Sequence, residues 1–427
     1  MTRCLFIMED WGISPNAYGG AAALIYSHLE LLSSIEIEIG LTILKKGNQS
    51  LGFDSFCQMQ PDIWQKVRSW CIQIDIIQLD APSHPATPLL FQGIRAIHAP
   101  TAYLYGGFLS GKGTDNLIKS IQNFSPDFIW AEHLFPASLL MLLPIKAPII
   151  YSHHDWHWKI KSYRAESQAK SNKQRIRKWL MKRHEIKLVR RASACVGGSY
   201  TELIEMQKIG AKKTGYFPTT YQMLTLDFDA VQLENPPRIV HLGGIQTTAN
   251  RLGLLRFLQV CWDELTNSLS PAPELWVIGN LDGAPPELMR RLQHERITCT
   301  GMVPDLTTVL RPFDIHIIPW EYDTGTRTRI PLVLNHAQVL LSTRAAAACL
   351  PELEDNKNCV LAQDLLAMAN ALMSLYNNPE QRKRIALQGF QDFRKNFTQQ
   401  AQQPRLDKFV RELLPSSKID LIKGLLK

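Results

Sequence analysis

Short apolar runs rich in β-branched residues alternate along the chain with stretches whose apolar positions recur at three and four residues. The first run, CLFIM (4–8), predicts a buried strand. A loop ending in Tyr18-Gly19-Gly20 follows, and AAALIYSHLELLSS then predicts a helix. Further strands are expected over 37–44, 127–131, 147–153 and 193–198, with a helix over 173–191 ahead of the last. A stretch with weak periodicity and paired prolines predicts a linker over 219–236. A second series then begins. Its strands are expected over 238–244, 274–280, 297–301, 314–319 and 338–343, and its helices over 250–265, 286–294, 305–311, 329–337, 364–377 and 379–395. The final residues, SKIDLIKGLLK, predict a short amphipathic helix. Regular strand–helix alternation is the mark of parallel α/β units. The expected architecture is α/β: two Rossmann-like, doubly wound domains facing a central cleft. The first spans 1–218, the second 237–400, and 401–427 form a tail.

Composition narrows the picture. Of 427 residues, 45% are hydrophobic and 20% charged, which suits folded domains rather than a disordered chain. The longest apolar stretch, Leu134–Ile150, is broken by Pro136, Pro144, Lys146 and Pro148, so it does not read as a membrane span. The start has too short an apolar core for a secretion signal. No two of the eight cysteines are spaced C-x-x-C, so no metal site is expected. The cysteines in apolar segments suit a reducing compartment, and the expected location is cytoplasmic.

The net charge of +8 is local. The segment Lys173–Arg191 holds nine Lys or Arg and one Glu; the rest of the chain holds 38 basic and 38 acidic residues. A domain that binds nucleic acid would spread its basic charge over a face, so none is expected as a partner. Trp179, Leu180 and Met181 lie among Lys178, Lys182 and Arg183, as in a helix that rests on an anionic membrane surface.

Four segments carry a resemblance. VHLGGIQTTANRLGLLRFLQ, ELWVIGN with ITCTGMVPDLTTVLRPFDIHIIP, GTRTRIPLVLNHAQVLLST and YNNPEQRKRIALQGFQDFRKNFT together cover about 238–398. In order and spacing they resemble the donor domain of retaining GT-B glycosyltransferases of family 4. GGAAALIYSHLELL and IIYSHHD fit the acceptor domain of that family more loosely. The resemblance implies metal-independent transfer of a sugar from a nucleotide-activated donor to a glycan, lipid-linked or small-molecule acceptor. The nucleotide sugar is then a substrate, and no cofactor is implied.

Such transfer needs offset charge for a departing diphosphate, which Arg side chains and Gly-led turns supply. Gly325, Thr326, Arg327 and Arg329 stand before a predicted helix and are the foremost donor-binding candidates. Gly243 and Gly244 lie at the entry to the second domain; there the relatives follow with a basic pair, whereas this chain has Ile245 and Gln246, with Arg251 as the candidate substitute. Gly19 and Gly20 form a comparable loop in the first domain. His154 and Asp155, in YSHHDWHW, match the place where relatives set a His near the reacting sugar, and are the catalytic candidates. His133 and Trp156 belong to the same acceptor-side rim, with Trp156 and Trp158 offering faces for a sugar to stack on.

One position departs from the family. Where relatives present a Glu to the nucleoside ribose, this chain has Leu332, and the partner position holds Thr324. Glu321 or Asp323 substitutes, the donor is unusual, or catalysis is lost. Two alternatives therefore stand beside the transferase: a non-catalytic homologue that binds a partner or glycan, and a nucleotide-sugar epimerase.

Overall fold

The computed structural model describes residues 1–15, 19–46, 53–80, 99–109, 111–164 and 172–414. The candidate loop residue Tyr18 and the expected helix in SKIDLIKGLLK lie outside them. The chain forms two compact units. The first comprises Met1–Ser14, Ile25–Phe217 and the chain from Gln402; the second comprises Pro15–Leu24 and Pro218–Ala401.

The first unit is built on a parallel sheet of seven strands: β1 (Thr2–Glu9), β2 (Ile37–Lys46), β3 (Cys71–Leu79), β4 (Phe128–Glu132), β5 (Ile149–His153), β6 (Ala194–Gly197) and β7 (Thr214–Tyr216). Their order is β3-β2-β1-β4-β5-β6-β7. The inner strands β4 and β5 are buried along their whole length, as a parallel sheet covered on both faces requires. The helices used below are α1 (Gly20–Ser33, which joins this unit from Ile25), α2 (Leu134–Leu140), α3 (His157–Arg164), α4 (Asn172–Arg191) and α5 (Tyr200–Lys208). Strand β3 escaped the sequence reading. It is an edge strand whose Ile72 and Ile76 remain 60% and 51% exposed, so it lacks a continuous buried run.

The second unit repeats the topology with six strands: β8 (Ile239–Leu242), β9 (Leu275–Ile278), β10 (Ile297–Gly301), β11 (Ile315–Ile318), β12 (Val339–Thr343) and β13 (Val360–Ala362). The order is β10-β9-β8-β11-β12-β13. Helix α6 (Thr248–Val260) follows β8, and α7 (Arg329–Asn335) follows β11. Helices α8 (Leu365–Asn377) and α9 (Pro379–Asn396) match the two closing helices expected. Asp364 accepts a hydrogen bond from Ala367 N to start α8, and Asn378 accepts one from Gln381 N to start α9, so each entry is a side-chain cap. The helix expected over 305–311 is only a 3-10 turn, Leu306–Thr308, in which Asp305 caps Thr307 N.

The expected tail is part of the fold. Helix α10 (Gln399–Leu413) returns to the first unit and puts Leu406, Phe409 and Val410 into its core. Phe409 meets Phe217 edge to face at 5.5 Å. At ~1.5–3 kcal/mol for each fully buried apolar side chain, these three anchor the helix firmly.

In a doubly wound sheet, ligands bind at the carboxyl ends of the strands where the order reverses. That point lies between β1 and β4 in the first unit and between β8 and β11 in the second. His133 follows β4 in the first unit; in the second, Gly243 follows β8, and the loop with Arg327 lies between β11 and α7, which Arg329 opens.

Candidate functional sites in the two units

In the first unit the reversal point is lined by carboxylates and imidazoles. Glu132 ends β4 and is fully buried. Its Oε2 accepts a 2.7 Å hydrogen bond from Trp130 Nε1 and lies 3.1 Å from His28 Nδ1; its Oε1 is hydrogen-bonded to His154 Nε2. Trp130 and Glu132 are two residues apart on one strand, so they share a face. Ser152, paired with Glu132 across β5, adds its hydroxyl 3.3 Å from His28 Nδ1. Burial pushes the Glu132 carboxyl up, but the pull of His28 and the hydrogen bond with His154 outweigh it. The group sits well below the usual carboxylate range. Burial likewise lowers His154 to about 4, against the pull of Glu132.

The other face of β5 holds a second pair. His153 bonds Glu202 at 2.9 Å through Nε2 and Tyr151 Oη at 2.9 Å through Nδ1. Nearby, Glu185 of α4 accepts from the backbone N–H groups of His157 and Trp158 and so caps α3. Burial raises its pKa to about 7.

His133 follows β4 at φ 79°, a left-handed conformation uncommon outside glycine, and starts α2. Its Nδ1 lies 3.4 Å from Glu9 Oε1, close enough for an ion pair but without hydrogen-bond alignment. Glu9 also pairs with Lys46 at 2.5 Å. Burial raises the Glu9 carboxyl, and His133 and Lys46 together bring it down to about 2. His133, His154 and His157 stack edge to face at 4.8 and 5.3 Å. The structure thus brings His133 and His154 together, with Asp155 at the next position. Gly19 takes φ 146° directly before Gly20 opens α1, and both belong to the second compact unit rather than to the first domain, where the sequence puts them.

Trp156 requires a correction. Its side chain is 1% exposed, packs in the core and lies 4.8 Å from the His153 ring, so it has no face for a sugar. The residues following β5 turn inward there, which residue type alone did not reveal. Trp158 lies instead among Lys159, Lys178 and Lys182, whose ammonium groups sit 5.6, 5.8 and 4.7 Å from its ring.

In the second unit the reversal point is lined by cations. Arg329 opens α7, and its Nη1 donates to the Leu242 carbonyl at the end of β8. Gly243 follows with φ 130°; a Cβ there would stand 2.3 Å from Asn250 Nδ2 and 3.2 Å from Arg329 Nη1, so only glycine fits. Asn250 Nδ2 donates to the Gly244 carbonyl at 3.0 Å, which ties the loop to α6. Arg327 donates to the Thr324 carbonyl, while its Nε and Thr326 Oγ1 are buried with no partner. Gly325 turns the loop at φ 73°. Among the described residues, neither Arg327 nor Arg329 is paired with a carboxylate. Burial, and then the charge of Arg327, lower Arg329 to about 9. Beneath them His241 is fully buried with both ring nitrogens unpartnered, and His316 leaves Nε2 unpartnered. Burial drives His241 well below its ordinary range and His316 to about 3, with Arg329 adding to both.

Two donor candidates serve other ends. Glu321 is ion-paired with Arg256 at 2.5 Å, and Arg251 Nη1 donates to the Ile245 carbonyl at 3.2 Å. Asp323 is exposed in the loop ahead of Gly325. Leu332 is buried on α7. Among the described residues, no group of three or more His, Cys, Asp or Glu is arranged to hold a metal ion. Nor is any described helix long and apolar enough to cross a membrane.

The sequence reading missed His28, Glu9, His241 and His316. His241 and His316 each interrupt an otherwise apolar strand, IVHL and IHII, and that interruption was the available signal; Glu9 ends β1 and His28 lies on a helix with other polar residues, so neither stands out.

Residues 236–378, a third of the chain, match the family model described as glycosyl transferases group 1. No curated protein matches the chain in sequence. Solved structures do match in fold. Anabaena Alr3699/HepE in complex with UDP-glucose is 12% identical with a TM-score of 0.65, over 96% of this chain and 100% of that one. A mutant of S. aureus TarM, in complex with Fondaparinux, alpha-GlcNAc-glycerol and UDP, is 8% identical with a TM-score of 0.65, over 97% and 100%. A glycosyltransferase from Rickettsia africae is 11% identical with a TM-score of 0.59, over 96% and 98%. The fold is GT-B. Within it, the matched domain contains the whole cationic reversal point, from Leu242 and Gly243 to Arg327 and Arg329.

Proposed function

We propose that this chain transfers a sugar from a nucleotide-activated donor to an acceptor, with retention at the anomeric carbon and without a metal ion. The observation that carries the reading is the pair Arg327 and Arg329, carboxylate-free beside Gly243, inside the segment matching the glycosyltransferase family model. A diphosphate supplies the negative charge that this pair lacks. As the bond to the sugar breaks, charge builds on the departing phosphate, and the two guanidinium groups, already held by Thr324 and Leu242, stabilise it without reorganising. The first unit receives the acceptor, and His154 bonds the sugar or acceptor at the end of β5. Two of the structures named above, the Anabaena protein solved with UDP-glucose and the TarM mutant solved with UDP, support a uridine donor as the first to try. A glycan, lipid-linked or small-molecule acceptor remains within this proposal, as does a membrane surface contacted by the exposed face of α4.

Leu332 favours a second reading, a non-catalytic protein that binds a glycan or partner, because no carboxylate stands at that place on α7. One experiment separates the two. The protein is titrated with a panel of nucleotide sugars by calorimetry, and release of nucleoside diphosphate is followed by mass spectrometry with and without candidate acceptors. Binding with release supports the transferase, binding without release the second reading. No binding of any nucleotide sugar or nucleoside diphosphate overturns both the donor site and the transferase.

A further inference from the structure

The proton arrangement around Glu132 decides what His154 offers to a ligand. Trp130 Nε1 can only donate, and it lies 2.7 Å from Glu132 Oε2, so that oxygen is an acceptor. Glu132 is held ionised, so Oε1 is an acceptor as well, and it is bonded to His154 Nε2. The proton between them therefore belongs to Nε2. A neutral imidazole carries one proton, which leaves Nδ1 bare. Among the described residues, no hydrogen bond reaches that Nδ1, and His154 retains 6% exposure at the strand end.

We propose that Glu132 is a positioning residue that locks His154 in the Nε2–H tautomer and so presents Nδ1 as an acceptor for a ligand hydroxyl. Under the transferase reading, on which this role in turnover rests, that hydroxyl belongs to the sugar or acceptor. Trp130 and His28 hold Glu132 in turn, so the lock is set in the core rather than at the rim.

Glu132→Gln makes the test sharp. The amide keeps the shape of the carboxylate. Trp130 still demands an acceptor, so the amide oxygen takes the Oε2 place and the NH2 group faces His154 Nε2. An NH2 donor there forces the proton onto Nδ1 and inverts the tautomer. The experiment records long-range proton–nitrogen spectra of protein labelled with 15N in histidine, at pH 7.5, with the His154 signals assigned by their loss in His154→Gln. In the wild type we expect a protonated Nε2 and a bare Nδ1, and in E132Q the reverse. A wild-type His154 protonated at Nδ1, or an unchanged tautomer in E132Q, overturns the lock. Because the wild-type spectrum needs neither a variant nor a substrate, it decides the question even if E132Q folds poorly or no donor is turned over. With a donor in hand, E132Q should lower kcat ~10²-fold while donor KM stays within a few-fold. An inverted tautomer with unchanged kcat would overturn the role in turnover and leave the lock standing; failure to find any donor would count against the transferase reading alone.

Discussion

The two units have one topology and opposite chemistry at the same place. Each sheet reverses its strand order after its first strand, and each collects polar side chains where the first and fourth strands end. In the first unit those side chains complete one another: Glu132 answers His28 and His154, Glu202 answers His153, and Glu9 answers Lys46. In the second unit two arginines and two buried histidines gather without a carboxylate partner among the described residues. Topology sets where a ligand can enter; the charge balance sets which kind. In the first site each of these carboxylates has a basic partner, and His154, lowered to about 4, offers a neutral ring, which suits hydroxyl groups. The second is short of negative charge, which suits a diphosphate.

The comparison breaks most readily at Arg327 and Arg329. Arg327→Ala should lose ~2.7–4 kcal/mol of transition-state stabilisation, the scale for removing one preorganised donor. Arg329→Met should abolish the rise in Tm that a nucleoside diphosphate gives the wild type, while the ligand-free Tm stays at or above the wild-type value, because a cation lacking an anion is removed. The ratio of kcat/KM between wild type and R327A reads the first loss, and scanning calorimetry with and without UDP reads the second. A ligand-free R329M that melts well below wild type would make Arg329 a structural residue and erase the contrast.

A somewhat smaller effect is expected at His154. Because it is buried against Glu132, His154→Ala should cost ~1–3 kcal/mol of stability by leaving that carboxylate short of a partner, in addition to lowering turnover. Chemical denaturation followed alongside nucleotide release separates the two losses. Unchanged stability would show that Glu132 finds a replacement donor.

These contrasts bear on how much was legible beforehand. The inner strands were readable because they are unbroken apolar runs: IIYSH and IHII fall within the segments expected. The edge strand β3 was not, since one face of it stays wet. The loop at Arg327 and Arg329 stood out by residue type and by its place between strand and helix. His154 stood out by resemblance, but its partner Glu132 was visible only as part of a rim, because the bond joins residues 22 apart that meet only through the pairing of β4 and β5. Trp156 was misplaced for a related reason: whether the chain turns in or out after a strand depends on what α4 packs beneath it, which no local pattern encodes. The tail, expected over 401–427, gives no sign of its docking because Leu406, Phe409 and Val410 pack against residues of the first unit far away in sequence.

Within the first unit a finer comparison is available by pH. Glu9 is lowered to about 2 from an ordinary 4.5, so its contribution is present above pH 4.5 and lost as pH falls toward 2. Glu185 is raised to about 7 from the same value, so its contribution is present below pH 4.5 and lost as pH rises through 7. Each shift corresponds to about 3 kcal/mol. Glu185→Gln should therefore flatten the decline in stability between pH 4.5 and 7, and Glu9→Gln the decline below 4.5. Denaturation midpoints across that range test both, and an E185Q profile parallel to wild type would show that Glu185 is not the group titrating.

The smallest effect expected concerns the outer face of α4. The same helix contributes Leu180, Met181, Leu188 and Val189 to the buried side of the unit, while Ile176 and Trp179 remain 59% and 43% exposed among basic residues. Arg183 lies over the Trp179 ring at 4.9 Å, and Lys178 and Lys182 reach toward Trp158. An aromatic side chain flanked by cations is what a surface needs to enter the headgroup region of an anionic membrane. Each basic residue near such a surface contributes ~1 kcal/mol, and salt weakens the attraction. The wild type should sediment with vesicles containing an anionic lipid and not with neutral ones, and the bound fraction should fall as salt rises. Trp179→Ala should weaken binding at every salt concentration, whereas Lys178→Gln with Lys182→Gln should weaken it chiefly at low salt. Equal partition to neutral and anionic vesicles, or none at low salt, would leave α4 as an ordinary solvated helix and confine recognition by the first unit to its strand ends.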